Sequence, residues 1–518
     1  MNAIDLAIFA NRINGLCEEV GAALRRAAFS PNIKDRLDYS CAIFDSAGRM
    51  VAQAAHIPVH LGSMAYAMAD LVDNQQWRPG DMLVVNDPYL GGTHLPDVTV
   101  IAPVFCNETL VGFVANRAHH VNIGANSPGS MPISSTLAEE GIVIAPTRLV
   151  SAGEIDEDLL HVLSGNRAIA RGDFLAQISA NAMGARRLQG LVDALGATEY
   201  RQSIEHLHDY GRRLAKAELA NIRPGRYSFS DVMDDDGQGQ GPFTIAVALD
   251  ISAKGIVADF AGTSAQVAGN INCPLSVTAA AVYYCFRCLL PDYTPACAGV
   301  YDLLDIRAPK GCLVNAEAPA AVAAGNVETS MRLVDTVLGA LSQAMPNRIP
   351  AASQGTMNNI AMGSASGNSP WDYYETIAGG TGGGPQRAGL HGVQSHMTNT
   401  LNTPIESLES HFPVRITRYQ RRTGSGGRGQ QPGGDGLIRE FEFLGDAQVT
   451  LLTERRNASP WGLAGGSDGA PGRNFCTRKD SGASNGELLK PKQALRVSAG
   501  DKIRLETPGG GGWGEPSQ

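Results

Sequence analysis

Apolar residues near the start of the chain recur at the spacing of an α-helix. Between positions 3 and 28 this face is formed by Leu6, Phe9, Ile13, Cys17, Val20 and Leu24. Residues 60–75 repeat the helical pattern. Between the two helices, the segment 38–45, a Ser-Ala-Gly turn at 46–48 and the residues from Arg49 onward predict a β-hairpin.

A second hairpin is predicted between residues 98 and 115. Its strands, 98–105 and 110–115, are joined at 106–109, and residues 82–85 form a short buried strand before them. Pro103 lies inside the first strand and has no N–H to donate to a neighbouring strand. We therefore expect this hairpin to lie at a sheet edge or to form only a short ladder.

The rest of the pattern divides the chain into three predicted domains. Helical spacing over 155–220 ends at Pro224, strands alternate over 227–260, and helical patterns return at 275–290 and 328–345. The composition changes near 223–226 and again near 350. We therefore predict an N-terminal domain at 1–223, an α/β middle domain at 224–350 and a third domain at 351–518.

Glycine is unusually frequent and marks the third predicted domain. Of 60 glycines, many lie after residue 350, in runs such as 379–384, 424–427 and 509–512. Apolar segments separate these runs, so we expect positive φ angles or close backbone approach there and not a flexible linker. The whole pattern predicts an α+β protein with mixed sheets, connecting helices and a strand-rich, glycine-rich C-terminal part.

The charge and hydropathy of the chain argue against nucleic-acid binding and against a membrane span. The net charge of −9 argues against nucleic acid, because phosphate contacts need clustered Lys and Arg. No apolar run approaches the ~18 residues of a membrane span, and the first apolar stretch contains Asp5 and Asn11, which indicates a helix and not a signal peptide. Nine scattered cysteines, an odd number, predict reduced thiols and a cytoplasmic protein.

Candidate chemistry is concentrated in two short stretches. Residues 86–97 read Asn-Asp-Pro-Tyr-Leu-Gly-Gly-Thr-His-Leu-Pro-Asp, and residues 118–120 read Ala-His-His. His94 and Asp97 are three residues apart at the start of the second predicted hairpin, and the histidine pair lies at its end. Imidazole and carboxylate groups can hold a divalent metal, so these stretches predict a metal site.

The turn of the hairpin decides which histidine joins Asp97. A three-residue turn at 107–109 places His119 directly opposite Asp97, with Cβ atoms about 5 Å apart. A two-residue turn at 107–108 pairs Asp97 with Ala118 and moves His120 onto its face. Asp38, at another strand start, is a candidate fourth ligand. The alternative is structural: His94 caps a turn, Asp97 binds backbone amides, and the histidine pair is partly buried.

Further motifs extend over nearly the whole chain. They are residues 32–40 (Asn-Ile-Lys-Asp-Arg-Leu-Asp-Tyr-Ser), 259–264 (Asp-Phe-Ala-Gly-Thr-Ser), 325–329 (Gly-Asn-Val-Glu-Thr), 354–359 (Gln-Gly-Thr-Met-Asn-Asn), 396–400 (His-Met-Thr-Asn-Thr) and 508–514 (Pro-Gly-Gly-Gly-Gly-Trp-Gly). With the two stretches above, they resemble the hydantoinase B/oxoprolinase family. That family comprises B subunits of ATP-dependent N-methylhydantoinases and part of 5-oxoprolinases, and is related to the α subunits of acetone-type carboxylases.

The resemblance implies a set of ligands and a partner. The ligands would be Asp38, His94, Asp97 and His119, which suit Zn²⁺ best and Mn²⁺ or Fe²⁺ nearly as well. It also implies a hydantoinase A-type actin-like subunit that binds ATP, in a heterotetramer with two copies of each chain. The sequence agrees with this division of labour, because it has no G-x-x-x-x-G-K-[ST] phosphate loop.

The expected function is one half of an ATP-dependent cyclic amidase. The partner would phosphorylate a small hydantoin, 5-oxoproline or other lactam, and this chain would hydrolyse the activated species. His120 is a candidate proton carrier and Asp87 a weaker one, although either could simply orient a ligand. The alternatives are a subunit of an acetone-type ketone carboxylase, a metal-stabilised scaffold for the ATPase, and a metallohydrolase that acts alone.

Overall fold

Helices flank and connect the sheets of this protein, described here by a computed structural model over residues 1–54, 56–165, 167–365, 370–480 and 486–516. The helices are α1 (Ala3–Ala27), α2 (Pro31–Lys34), α3 (Pro58–Asp73), α4 (Glu157–Ser164), α5 (Ala168–Leu195), α6 (Ala197–Leu219), α7 (Leu275–Arg287), α8 (Ser330–Ala344) and α9 (Ile405–His411). A π-helical turn, Gly325–Thr329, runs directly into α8. None of the described helices combines the length and apolar character needed to cross a bilayer.

The strands form four sheets in the described residues. They are β1 (Tyr39–Asp45), β2 (Met50–Gln53), β3 (Met82–Val85), β4 (Asp97–Cys106), β5 (Thr109–His119), β6 (Thr147–Ser151), β7 (Glu154–Ile155), β8 (Gly225–Met233), β9 (Phe243–Ser252), β10 (Gly255–Asp259), β11 (Leu304–Arg307), β12 (Asn359–Ser364), β13 (Trp371–Glu375), β14 (Val414–Arg422), β15 (Gly436–Phe443), β16 (Ala447–Leu452), β17 (Arg473–Thr477), β18 (Glu487–Leu489), β19 (Lys492–Val497) and β20 (Lys502–Glu506). The expected α+β class with mixed sheets is confirmed.

The first two sheets each use consecutive strands of the chain, whereas the strands from β12 to β20 are shared between the third and fourth sheets. The first sheet has seven strands in the order β2-β1-β5-β4-β3-β6-β7, and the second has the order β11-β10-β9-β8 with β10 and β11 parallel. The third is β13-β12-β16-β19 and the fourth is β14-β15-β20-β17-β18. Each sheet uses strands from one predicted domain, yet one apolar core runs from Ile57 through the middle segment to Leu452. The three domain boundaries therefore stay predictions.

The seven-stranded sheet is covered on both faces, because successive side chains of a strand point to opposite sides. Ile43 and Val114 pack in the core that contains α1, α5 and α6. Their neighbours Phe44 and Phe113 pack in the core that contains α3. Because helices pack on both faces, the sheet is held between them and the ends of its central strands are buried.

The β4–β5 hairpin combines a two-residue turn with a β-bulge. Cys106 pairs with Thr109 across the turn, but the register shifts by one residue at Val104, and Asp97 then pairs with His119. The two-residue turn alone would have paired Asp97 with Ala118, so the bulge restores the alternative register.

The expectation that Pro103 confines this hairpin to an edge or a short ladder is wrong. Strand β4 has ten residues and lies between β5 and β3. Its pairing with β3 extends only as far as the Leu83–Ile101 pair, so Pro103 lies beyond the end of that ladder. A missing N–H at this position therefore removes no bond from the β3–β4 ladder.

The C-terminal glycine run, residues 509–512, lies between neighbouring backbone segments and forms hydrogen bonds with them. Successive N–H groups at 509–512 donate to Ala470, Gly434, Ala352 and Ser467, so residues 509 and 512 face the same segment. A repeat of three residues with bonds in three directions is typical of a polyproline-II-like chain. These glycines have no positive φ angle; a Cβ on Gly510 would lie 2.0 Å from the Thr381 oxygen. Close backbone approach is therefore the reason for this run.

We predict that Gly510→Ala strongly destabilises the protein. The added methyl group would meet a backbone oxygen that cannot move away, so we expect a loss of at least about 3 kcal/mol or failure to fold. Thermal unfolding measures this. The matched control is Gly190→Ala on an exposed face of α5, where a Cβ meets nothing within 4 Å and should stabilise by about 0.5–1 kcal/mol. Equal melting temperatures for the two variants would contradict the packing argument.

Candidate metal centre

An aspartate and two histidines converge where β4 begins and β5 ends. Asp97 and His119 are direct partners across the ladder, and His94 lies in the loop three residues before Asp97. One nitrogen or oxygen from each lies within 4.8 Å of those of the other two, and all three side chains are buried. The loop and the hairpin end thus assemble a set of ligand types that suits Zn²⁺, Mn²⁺ or Fe²⁺.

Each of these residues presents one buried atom without a hydrogen-bond partner. The three atoms are His94 Nε2, Asp97 Oδ1 and His119 Nε2. A buried polar atom that is left unsatisfied is costly, and such atoms are rare in native proteins. A cation that accepts one lone pair from each would satisfy all three together, so the residues present fit a divalent metal ion.

The second oxygen of Asp97 is fully occupied by donors. Oδ2 lies 3.1 Å from His60 Nε2, accepts from Thr93 Oγ1 at 2.5 Å and accepts from Asn326 Nδ2 at 3.3 Å. His94 Nε2 lies 3.4 Å from the same oxygen. These contacts fix the carboxylate plane and leave Oδ1 as the atom that can bind a metal.

Neighbouring groups orient the two imidazole rings. His94 Nδ1 lies 3.3 Å from the Ala323 carbonyl and donates to it. Burial alone would lower the pKa of His94, but Asp97 raises it, so Nε2 must give up its proton before it can offer a lone pair to a metal. His119 Nδ1 lies 3.1 Å from Asn32 Nδ2. The other side-chain atom of that amide, Asn32 Oδ1, accepts from Arg36 Nη1 at 3.3 Å. For His119 Nε2 to bind a metal, the ring proton would have to sit on Nδ1, and the Asn32 amide would then have to present its oxygen to the ring.

Burial and mutual charge set the protonation of the centre. Burial lowers the pKa of His119 well below its usual value, because the imidazolium loses its hydration. Burial alone would raise the pKa of Asp97, but His60 and His94 hold it well below the usual range. A neutral His119 and an ionised Asp97 are the forms that bind a metal.

Comparison with known proteins shows which family the chain belongs to. The family description hydantoinase B/oxoprolinase matches residues 2–516. The chain belongs to the hydantoinase B/oxoprolinase family. It is 39% identical to 5-oxoprolinase 1 of Arabidopsis thaliana over 547 residues, which cover 99% of this chain but 42% of that protein. The chain thus spans less than half the length of this relative.

Two solved structures share the fold of this family member. The ATP-dependent caprolactamase of Pseudomonas jessenii superposes with a TM-score of 0.92 at 28% identity, over 99% of this chain and 91% of that chain. A nucleotide-free structure of acetone carboxylase superposes with a TM-score of 0.86 at 19% identity, over 98% of this chain and 76% of that chain. The second likeness shows the shared fold alone.

Asp38 lies beside the three clustered residues in this family member. It directly precedes β1, and its carbonyl accepts from His119 N at 3.0 Å, so Asp38 lies beside His119, which in turn pairs with Asp97. Its carboxylate lies 3.7 Å from Arg36 Nη2 and does not belong to the described group within 4.8 Å. Burial raises the pKa of Asp38, against the attraction of Arg36.

His120 and Asp87 make contacts that orient structure. His120 lies just after β5, where its Nε2 is 2.9 Å from Gln177 Oε1 and its ring packs on Phe174 of α5. Asp87 accepts from the Tyr89 N–H at 2.9 Å and caps a short 3₁₀ turn. Neither contact joins them to the described three-residue cluster, and their roles as proton carriers stay predictions.

Sequence reasoning missed the residues that hold Asp97 and the rings. His60 lies in the first turn of α3, Asn32 lies in the short α2, and Asn326 lies in the π-helical turn. A histidine two residues after Pro58, at a predicted helix start, was the one local signal for His60. Asn32 and Asn326 lie in the motifs 32–40 and 325–329, but the motifs alone gave them no role at the site, because asparagine at a helix end is usually a cap.

One cavity among the described residues lies near this centre and does not include it. It has a volume of about 1050 Å³ and is lined by Val121 and Asn122, directly after His120, together with Phe29, Trp371 and Phe412. Because none of the three clustered residues lines it, the cavity by itself carries no assignment of the reaction.

We predict that His94→Ala and His119→Ala abolish tight metal binding, because each removes one of three ligand atoms. Elemental analysis and competition with a chelator measure binding in the purified full chain. His60→Ala removes only a donor to Asp97 and should weaken binding about 10- to 100-fold. The control His206→Ala changes an exposed histidine of α6 and should leave metal affinity unchanged. Undiminished binding by both His94→Ala and His119→Ala would rule out this centre.

Proposed function

We propose that this chain is the metal-containing subunit of an ATP-dependent cyclic amidase. The observation that carries the proposal is the set of three buried, unpartnered atoms on His94, Asp97 and His119. It is supported by 28% identity over nearly the whole chain to an enzyme described as an ATP-dependent caprolactamase. The substrate class is a small ring amide such as a hydantoin, 5-oxoproline or another lactam.

An unstrained ring amide needs activation because resonance makes its carbonyl carbon a weak electrophile. We propose that a hydantoinase A-type actin-like ATPase phosphorylates the carbonyl oxygen and that this chain hydrolyses the product. A divalent metal held by His94, Asp97 and His119 would supply Lewis-acid chemistry, which can lower the pKa of water to about 7 and so make hydroxide available at neutral pH. We propose a heterotetramer with two copies of each subunit.

The chain's own residues supply position and charge. Asp97 binds through Oδ1 while His60, Thr93 and Asn326 occupy Oδ2. We retain Asp38 as the fourth ligand, since it lies beside His119 and would reach the centre by leaving Arg36. Zn²⁺ suits two histidines and two carboxylates best. His120, which contacts Gln177 and Phe174 of α5, stays a candidate proton carrier. Asp87 is a weaker candidate.

A ketone carboxylase is the second candidate function. The acetone carboxylase likeness, at 19% identity, supports the shared fold and gives no support for the shared reaction. A metal-stabilised scaffold for the ATPase is the third. Both are decided by the substrate and by the effect of ligand variants on turnover.

We predict ATP-dependent opening of at least one cyclic amide by the co-expressed pair. The assay measures ring-opened product and ADP over a panel of hydantoins, lactams and ketones, with metal analysis of the same sample. The chain alone should be inactive, because it lacks the activating subunit. Carboxylation of a ketone without amide hydrolysis would favour the second candidate, and full turnover by a His119→Ala complex would favour the scaffold.

We predict that Asp38→Asn lowers turnover of the pair at least about 10-fold and weakens metal binding, because an amide is a poorer ligand than a carboxylate. The comparison is Asp292→Asn, which makes the same change at an exposed aspartate and should retain full activity. If Asp38→Asn binds metal and turns over like the wild type, Asp38 is not a ligand and its role is the pairing with Arg36.

A further inference from the structure

The π-helical turn at Gly325–Thr329 lies next to the candidate metal centre. All five of its residues are buried, and it continues into α8. π-Helical turns are rare and often occur at functional sites. This one carries two polar side chains, Asn326 and Glu328, that lead toward two different candidate ligands.

The first connection is direct. Asn326 Nδ2 donates to Asp97 Oδ2 at 3.3 Å. It helps to occupy the oxygen that does not face the proposed metal, and so ties the turn to the carboxylate of Asp97.

The second connection passes through two side chains. Glu328 Oε1 accepts from Asn359 Nδ2 at 2.6 Å and from the Met357 N–H at 3.0 Å. Asn359 Oδ1 in turn accepts from the Tyr374 hydroxyl at 2.6 Å. The Tyr374 ring stacks on His119, with centroids 4.9 Å apart and planes only 4° from parallel.

We propose that Glu328 is a positioning residue for His119, acting through the Asn359 amide and the stacked Tyr374 ring. Because Asn326 and Glu328 belong to one buried turn, the turn would fix Asp97 and His119 relative to each other. This inference rests on the proposed function only in assuming that these two residues bind a metal. Every step of the connection is a hydrogen bond or a ring stack between buried groups.

The surroundings of Glu328 explain why a carboxyl group can occupy this position. Its Oε2 is buried and has no hydrogen-bond partner, and Glu454, Lys492 and Arg456 lie close enough to act on its charge. Burial raises its pKa to about 8, so it is largely protonated at neutral pH. A neutral glutamine has nearly the same shape and can accept the same two N–H donors.

The test measures metal affinity in the purified full chain by Zn²⁺ competition with a chelator. We expect Glu328→Ala and Tyr374→Phe to weaken binding about 10-fold or more, because each breaks the connection that orients His119. Glu328→Gln should restore affinity to within about threefold of the wild type. The matched control is Tyr373→Phe, since that buried hydroxyl donates to Glu375 and not into this connection.

Stability against pH gives a second measurement that does not depend on the metal. The pKa of about 8 in the folded chain lies above the ordinary value of 4.5, so the unfolded chain releases this proton first. The contribution of Glu328 to stability is therefore complete below about pH 4.5 and declines as pH rises toward 8. Glu328→Gln cannot titrate, so its melting temperature should rise relative to the wild type over this range.

The outcomes separate this inference from the proposed function. Wild-type affinity in both Glu328→Ala and Tyr374→Phe would overturn the positioning role and leave the metal centre intact. A wild-type chain that binds no metal would overturn both. If Glu328→Ala does not fold, Tyr374→Phe decides, because it keeps the ring stack and removes only the hydroxyl. A loss of affinity in Tyr373→Phe equal to that in Tyr374→Phe would also overturn the inference.

Discussion

The closure of the β4–β5 hairpin is the constraint on which the site depends. A two-residue turn at one end and a single bulge along the strand bring Asp97 opposite His119 at the other end. A register shift of one residue would put the alternate side chain on that face, as it does for every strand. Helices on both faces of the sheet hold this register, because any slip would expose buried apolar residues of two cores.

Because the centre is buried, its charged and polar groups need partners within the protein. Asp97 is an anion deep in the protein, and three donors from separate parts of the chain offset the loss of water on one of its oxygens. The other oxygen and two imidazole nitrogens have no partner, which is an unfavourable state for a protein interior. A bound cation would resolve this imbalance, so the contacts that order these side chains also support the proposed metal site.

The sequence predicted the local elements well, because helical spacing, alternating strands and turn residues are local signals. It also predicted that His94, Asp97 and one of the neighbouring histidines would meet at the ends of paired strands. It could not decide between turn lengths, because the bulge at Val111 of β5 leaves no mark in the apolar pattern. Pro103 gave a misleading signal, since its effect depends on where the neighbouring strand ends. The supports from His60 and Asn326 depend on packing between distant segments, which spacing along one chain does not encode.

The claim that His94, Asp97 and His119 bind one divalent ion is tested most directly by crystallography at an absorption edge. Crystals of the chain grown with Zn²⁺ would be measured on both sides of the zinc edge. The account predicts one strong anomalous peak about 2.0–2.2 Å from His94 Nε2, Asp97 Oδ1 and His119 Nε2. A map with no peak among these three side chains, in crystals that hold zinc elsewhere, would contradict it.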